Sequence, residues 1–389
     1  MGPRVVLFLT VFIHLLGFGL LLPLLPYFAE TYGATGVAVG LLNTSYSFMQ
    51  FLSSPLWGRL SDRIGRRPVI LGSLVATAAA YVIFGLATSL PVLFMSRIAA
   101  GIAGGVIPTA QAYIADTTTP AERTKGMGLI GAAFGLGFIF GPALGGILSR
   151  YGYSIPAFAA AGLALLAALF ALVLLPESLT PEKRAAAAAR RLGPLSALST
   201  LRRPALRPVF ALFFVGTICF SALEGTFALF GEHMYAIGPQ EVGYLFAFVG
   251  SLSALMQAGL VGWLARRFGE RALVLAGFLL TGLGMVFAGT GPAFGLMLTA
   301  MGAVSVGNGL ASPSLAGLAS VASSAEEQGA ILGTYQSLGS LARSAGPFLG
   351  GLAFDRLGAG SPLWLGGIVV ALASLLAFRL PANRAGLRL

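Results

Sequence analysis

The chain has 389 residues, 57% hydrophobic and only 10% charged, with 54 glycines and a mean hydropathy of +0.88. That leaves too little polar surface to cover a water-soluble globule of this length, so its solvent is lipid. The net charge of +11 does not mark a nucleic-acid binder, because the basic residues lie between apolar runs and not in a basic domain or a stripe beside aromatics. The single cysteine, Cys219, excludes an internal disulfide framework and a cysteine-based metal site, and inside an apolar run it reads as a small buried hydrophobe.

A bilayer core of about 30 Å needs about 20 apolar residues per helical span. Twelve such runs lie near residues 4–28, 37–57, 68–88, 90–115, 126–149, 154–176, 206–231, 240–265, 271–289, 292–320, 328–353 and 361–380. The first lacks a small-residue cleavage site followed by polar sequence and is predicted to be retained as a helix. Placing the N-terminus in the cytoplasm puts Arg4, the 58–67 loop, Arg123, Lys125, the 177–207 segment, Arg266, Arg267, Arg271, Arg379, Arg384 and Arg388 inside. Twenty of the 24 Lys and Arg then lie on the inner side. Arg150 and Arg356 fall in outer loops, and Arg97 and Arg343 fall within spans. The expected fold is an all-α membrane protein, with twelve transmembrane helices in two pseudo-symmetric six-helix bundles, residues 1–176 and 206–389. Residues 177–205 join them; within this linker, 181–192 carry strong helix formers with Lys183, Arg184, Arg190 and Arg191, a pattern predicting a short basic helix on the anionic inner leaflet.

The two bundles read as copies of one unit. Gly128, Gly137, Gly141-Pro142 and Gly145-Gly146 recur 205 positions later as Gly333, Ala342, Gly346-Pro347 and Gly350-Gly351. Pro108 and Glu122 map onto Pro313 and Glu327 at the same offset, and Gly58, Gly65 and Arg67 map onto Gly262, Gly269 and Arg271 one residue short of it.

The loop after the second run reads Gly58-Arg59-Leu60-Ser61-Asp62-Arg63-Ile64-Gly65-Arg66-Arg67-Pro68. A carboxylate at Asp62 can sit against the positive N-terminal end of another helix, and Arg66 can pair with an acid at the inner end of a neighbour, for which Asp116 is the natural candidate. Such a cluster is a latch; topological charge alone is the plainer alternative, though it requires neither Asp62 nor the glycines. The loop resembles motif A of the major facilitator superfamily, G-x-x-x-D-R-x-G-R-R, at every position, and residues 262–271 resemble its degenerate second copy. The resemblance implies a latch that stabilises an outward-open state, with Asp62 facing the eleventh helix and Arg66 facing Asp116. Residues 128–146 resemble motif C of drug:proton antiporters, G-x8-G-x3-G-P-x2-G-G. Gly137, Gly141 and Gly145, four apart, present a helix face without side chains, and Pro142 removes a helical hydrogen bond and should bend the helix. Small-residue packing by itself accounts for both copies equally well. Arg97 with Gly101, Gly104 and Gly105 resembles motif B of the fourth helix.

Four ionisable residues fall inside spans: His14, Arg97, Glu224 and Arg343. Charges at a helix centre cost roughly 2.5–3.5 kcal/mol on insertion scales, so such residues usually face a cavity or one another. Glu224 is the proton-carrier candidate and Arg343 its candidate counter-ion. Exclusion from water and an adjacent cation act in opposite directions on a carboxyl's proton affinity, so a purely structural Glu224–Arg343 lock stays open. Arg97 is either paired, solvated by a cavity or snorkelling. His14 is a hydrogen-bonded neutral imidazole or a pH-sensing group. Asn43, Tyr46 and Gln50 share a helix face at i, i+3 and i+7 and are predicted, with Gln111, Phe220, Phe227, Gln257, Asn308 and Gln336, to line a central cavity; interhelical hydrogen bonding is the alternative for the amides.

Within the superfamily the chain resembles the twelve-helix drug:proton antiporters that include tetracycline efflux proteins, through residues 17–23, 55–71 and 113–118 onward. His14 and Ala80 stand where those proteins carry intramembrane acids, which argues against tetracycline as cargo. The resemblance implies a monomeric transporter of a bacterial-type inner membrane, both termini cytoplasmic. It would export amphipathic small molecules against protons by rocker-switch alternating access, with lipids as its surroundings, no nucleic-acid partner, and no cofactor or metal beyond the proton gradient. An exporter or flippase of lipid-like molecules, an uptake symporter and a non-transporting receptor are the other readings. No phosphate-binding loop, metal-ligand cluster or nucleophile–base pair appears, so an enzyme is not expected.

Overall fold

The structure, a computed structural model, describes residues 2–118, 120–179, 203–204, 206–291, 293–321 and 328–380. The first half forms α1 (Pro3–Leu21), α2 (Leu25–Glu30), α3 (Gly36–Ile64), α4 (Arg66–Gly85), α5 (Leu90–Ile102), α6 (Val106–Thr117), α7 (Pro120–Leu148) and α8 (Ser154–Leu174). The second forms α9 (Arg207–Tyr235), α10 (Pro239–Leu255), α11 (Val261–Phe268), α12 (Glu270–Gly289), α13 (Phe294–Val321), α14 (Gln328–Leu357) and α15 (Ser361–Ala373). A π-helical turn, Met256–Leu260, joins α10 to α11. Proline in the first turn, where a missing N–H costs nothing, opens α1, α2, α5, α9 and α15.

Among the described residues, each predicted run lies largely on helix. Two are interrupted, at 22–24 and at 103–105, the latter where Gly104-Gly105 weakens helix propensity. Among the described residues, nine helical stretches are long and apolar enough to cross a membrane. The remaining predicted runs lie on α3, α10 with α11, and α14. These are helical but carry the polar residues that the sequence assigns to an interior, among them Asn43, Gln50, Gln257, Gln336 and Arg343. The basic helix predicted at 181–192, and Arg384 and Arg388, lie outside the described residues.

The helices sort into two compact units. Unit 1 holds α1, α2, α4–α8, α3 from Ser45 onward, and the segment Ile237–Ala247 that opens α10. Unit 2 holds the segment Thr35–Thr44 that opens α3, then α9 and everything from Phe248. The units therefore follow the two sequence halves except at the first turns of α3 and α10, which are exchanged.

Within each unit the same helix pairs are in contact. In unit 1, α1 lies on α7 and α4 on α8; in unit 2, α9 lies on α14 and α12 on α15. The duplication inferred from glycines is thus a duplication of packing. Two residues of the repeated loops share a backbone conformation as well: Gly65 (φ 109°) between α3 and α4, and Gly269 (φ 79°) between α11 and α12, both in a region that L side chains rarely enter.

The glycine stripe explains how closely α1 and α7 approach. A Cβ on Gly141 would lie 2.7 Å from Gly19 Cα, and one on Gly145 2.1 Å from Leu20 O. In the second copy, Gly346 and Gly350 meet α9 in the same way, 2.6 Å from Ile218 O and 2.9 Å from Ala222 O, while Ala342 is fully buried at the position of Gly137. Without water between helices, this approach is the main source of helix–helix attraction. Gly128, although part of the motif, is exposed with nothing within 4 Å of a Cβ. Gly145→Val should therefore lower the melting temperature in detergent, by an overpacking cost of about 1–3 kcal/mol, whereas Gly128→Ala should leave it unchanged or slightly raised. Equal losses for the two variants would refute this account of the stripe.

Candidate functional site

Three polar groupings stand out from the apolar bundle. The first surrounds the 58–67 loop in unit 1. Arg66, with its side chain 8% exposed, lies between two carboxylates: Nη1 is 2.6 Å from Asp62 Oδ1 and Nε is 2.9 Å from Asp116 Oδ2. Nη1 also donates to Ser61 Oγ at 2.6 Å. Gly65 at positive φ turns the chain so sharply that α4 starts one residue after α3 ends, which brings Arg66 back over Asp62. A charge-assisted pair of this kind is short and directional, and its burial makes it costly to break from one side.

The cluster is larger than the sequence suggested. Glu177, after the end of α8, caps the start of α4: Oε1 accepts from Arg66 N at 2.9 Å and Oε2 from Arg67 N at 3.2 Å. Ser178 Oγ donates to Asp116 Oδ2 at 3.2 Å, and Arg67 donates to Leu172 O. Arg63 is exposed, and Gly58 has open space where a Cβ would stand. Glu177 and Ser178 were missed because a single acid following a proline has no sequence pattern; its only signal was an acid beside the most basic part of the chain.

The second grouping is mid-span in unit 1. Arg97 is 3% exposed, its guanidinium 4.4 Å from the centre of the Tyr46 ring, and its Nε has no hydrogen-bond partner among the described residues. Gln50 donates to Tyr46 Oη at 3.3 Å, and the Phe18 ring lies 5.3 Å from that of Tyr46. The motif-B glycines seat α3 on this site: a Cβ at Gly101 would be 2.4 Å from Tyr46 O, and one at Gly105 2.6 Å from the Trp57 ring. Tyr46 thus meets Arg97 directly, and Gln50 is joined to it through Tyr46. His14 is buried on α1 with Nδ1 unpartnered among the described residues. Gln111 is partly exposed on α6.

The third grouping is in unit 2. Glu224 lies, partly exposed, in the middle of α9, and Arg343 stands on α14, where its Nη2 donates to Ser340 Oγ at 3.3 Å. Ser221, one turn before Glu224, donates to Arg343 O at 3.4 Å, so the two helices are tied at this level. Phe220, Asn308 and Gln336 are at least partly exposed. Gln257 is exposed in the π-helical turn and donates to Ser253 Oγ at 3.0 Å. Asn43 donates to Val39 O at 3.5 Å on the part of α3 that packs in unit 2, apart from Tyr46 and Gln50 in unit 1. Phe227 does not line a cavity: it is 1% exposed, with its ring 6.2 Å from that of Phe230, because α9 turns this side into the core. Among the described residues no group of His, Cys, Asp and Glu is placed to hold a metal ion.

The description Major Facilitator Superfamily attaches to a family model that matches residues 7–347 and 234–387. The chain is 32% identical over 388 residues to the class D tetracycline resistance protein of Salmonella ordonez, covering 98% of each. It is also 32% identical over 361 residues to Multidrug resistance protein 2 of Bacillus subtilis strain 168, covering 90% of this chain and 88% of the relative. The crystal structure of the human organic anion transporter MFSD10 superimposes with a TM-score of 0.74 at 29% identity, covering 97% of this chain and all of the other. A loop whose buried arginine bridges two acids, a glycine-stripe helix crossing present in two copies and a match along nearly the whole chain agree: this multi-pass membrane protein belongs to the Major Facilitator Superfamily of transporters.

Proposed function

We propose that the chain is a proton-coupled exporter of amphipathic small molecules, working as a monomer by rocker-switch alternating access in a bacterial-type inner membrane with both termini cytoplasmic. The proton gradient is its only energy source. The observation that carries this reading is Glu224, a carboxyl in the middle of α9, one turn from Ser221, whose Oγ donates to the carbonyl of Arg343 on the facing helix. Such a carboxyl exchanges a proton when its access to water or its distance from the cation changes, and alternating access changes both. Cargo arriving from one side and protons from the other then compete for the same arrangement. The Arg66 cluster is the latch of this scheme, holding the 58–67 loop against the ends of α6 and α8 in one of the two states.

The names of the relatives, a tetracycline and a multidrug resistance protein, favour efflux of amphipathic cargo. A further observation narrows the cargo's charge. Arg97 is buried beside the Tyr46 ring, and among the described residues its Nε has no hydrogen-bond partner and no acid stands within ion-pair distance of it. A cargo with an anionic group would supply that missing countercharge, in keeping with the name of the human structural relative.

Two measurements separate coupling from architecture. In liposomes holding a trapped pH dye and offered cationic, neutral, anionic and lipid-like compounds, Glu224→Gln should abolish compound-triggered proton movement while keeping the wild-type melting temperature. Proton movement that persists in this variant would assign the carrier elsewhere, and silence of the wild type with every compound would favour a receptor or an uncoupled carrier. Asp116→Asn should do the reverse, lowering stability by on the order of 3 kcal/mol because Arg66 stays buried with one partner fewer. An unchanged melting curve for that variant would remove the cluster's structural role.

A further inference from the structure

The end of α3 farthest from the 58–67 loop is held in an unusual way. Its first backbone N–H groups have no helical acceptor, as in every helix, and here they are satisfied from two sources. Thr35 Oγ1 accepts from Ala38 N at 3.3 Å, and the carboxylate of Asp355, in the last turn of α14, accepts from Gly36 N (Oδ1) and Val37 N (Oδ2), each at 2.8 Å. One acid therefore clasps the positive end of a helix 318 positions away in the chain, using both oxygens.

Below the clasp lies a fitted seat. A Cβ on Gly351 would stand 2.1 Å from Gly36 O, and one on Gly40 2.3 Å from Pro347 O. Thr44 Oγ1 donates to Ser344 O at 2.6 Å. Positions 36, 40 and 44, four apart, thus rest on 351, 347 and 344. The second motif-C copy uses two faces: Gly346 and Gly350 meet α9, while Pro347 and Gly351 receive α3. The seat ends at Thr44, after which α3 continues without a break into unit 1. The first half has no equivalent acid: at the position matching Asp355 it carries Arg150, whose Nε donates to the Gln240 side chain.

We infer that Asp355 is a positioning residue of the transport cycle, a releasable clasp that stabilises the state in which the first turns of α3 are seated on α14. The inference rests on the alternating-access reading above, and the geometry suits release. Asp355 is exposed and the N–H groups lie at a helix end, so water replaces the carboxylate at low cost when the seat opens. The glycine seat brings the helices close, and the carboxylate adds a directional contact at the helix end.

The test is a distance between spin labels inside unit 2, which needs neither a known cargo nor proton coupling. Labels would be placed at Thr35→Cys and Thr290→Cys, both exposed, in a Cys219→Ala background, in nanodiscs. The unaltered clasp should give one dominant distance. Asp355→Asn should raise the population at other distances about two- to fivefold, as expected for a surface-exposed helix-end charge. Gly40→Ala, which leaves Asp355 in place but obstructs the seat, should do the same, and Asp355→Glu should restore the original distribution. Distributions for Asp355→Asn and Gly40→Ala that superimpose on the unaltered one, in monodisperse protein, would overturn the inference. Shifted distances in a protein that moves no cargo would instead uphold the clasp and count against the transport reading.

Discussion

Everything in this molecule follows from the need to satisfy backbone polar groups where no water is available. In lipid each unpaired N–H or C=O costs several kcal/mol, so a spanning chain is restricted to helices or a closed barrel, and apolar runs of about 20 residues select helices. Helices in lipid gain little from hiding apolar side chains, since the surroundings are equally apolar. They associate instead through close contact, which is why glycine, 54 times in 389 residues, is the structural currency of the fold. The crossing of Gly19 with Gly141 and the contact of Gly145 with Leu20 O show what that contact requires: positions where even a methyl group does not fit.

The same constraint sorts the charges. Acids and bases that serve as architecture gather at helix ends, where exposed N–H groups and water share the cost of solvation. Arg66 with Asp62 and Asp116, and Glu177 on the first turn of α4, are of this kind. Charges in the middle of spans are costly, and among the described residues there are few. Arg97 is sheltered by the Tyr46 ring, and Glu224 lies one turn from the contact of Ser221 with the Arg343 carbonyl on the facing helix. Charged groups thus crowd together at the helix ends around Arg66 and are sparse in the middle of spans.

The motifs read from sequence belong to two layers of the structure. Gly137, Gly141 and Gly145 build one unit by seating α1, whereas Gly146 approaches Gln240 Cα to within 2.8 Å of a Cβ and receives the opening of α10. One stretch of α7 thus builds a unit with one face and holds an exchanged helix end with the next, and α14 repeats the arrangement with α9 and α3.

Helix positions, the duplication, the Arg66–Asp116 partners and the short roll of mid-span charges were legible in the amino-acid order, because each depends on local pattern: apolar length, glycine spacing, or a charge where none is tolerated. The assignment of neighbours was not. Phe227 and Phe220 look alike in sequence, yet one faces the core and the other does not; Asn43 shares a helix face with Tyr46 and Gln50 but packs in the other unit. Glu177 and Asp355 carried no motif, and their roles arise only when α8 ends beside the start of α4 and α14 ends beside the start of α3. The sequence by itself determined that this chain is a duplicated helical membrane protein of a transporter family, since lipid admits little else. Which carboxylates reach which helix ends was decided by the tertiary structure, because a cap forms only where packing brings an acid to an unsatisfied N–H.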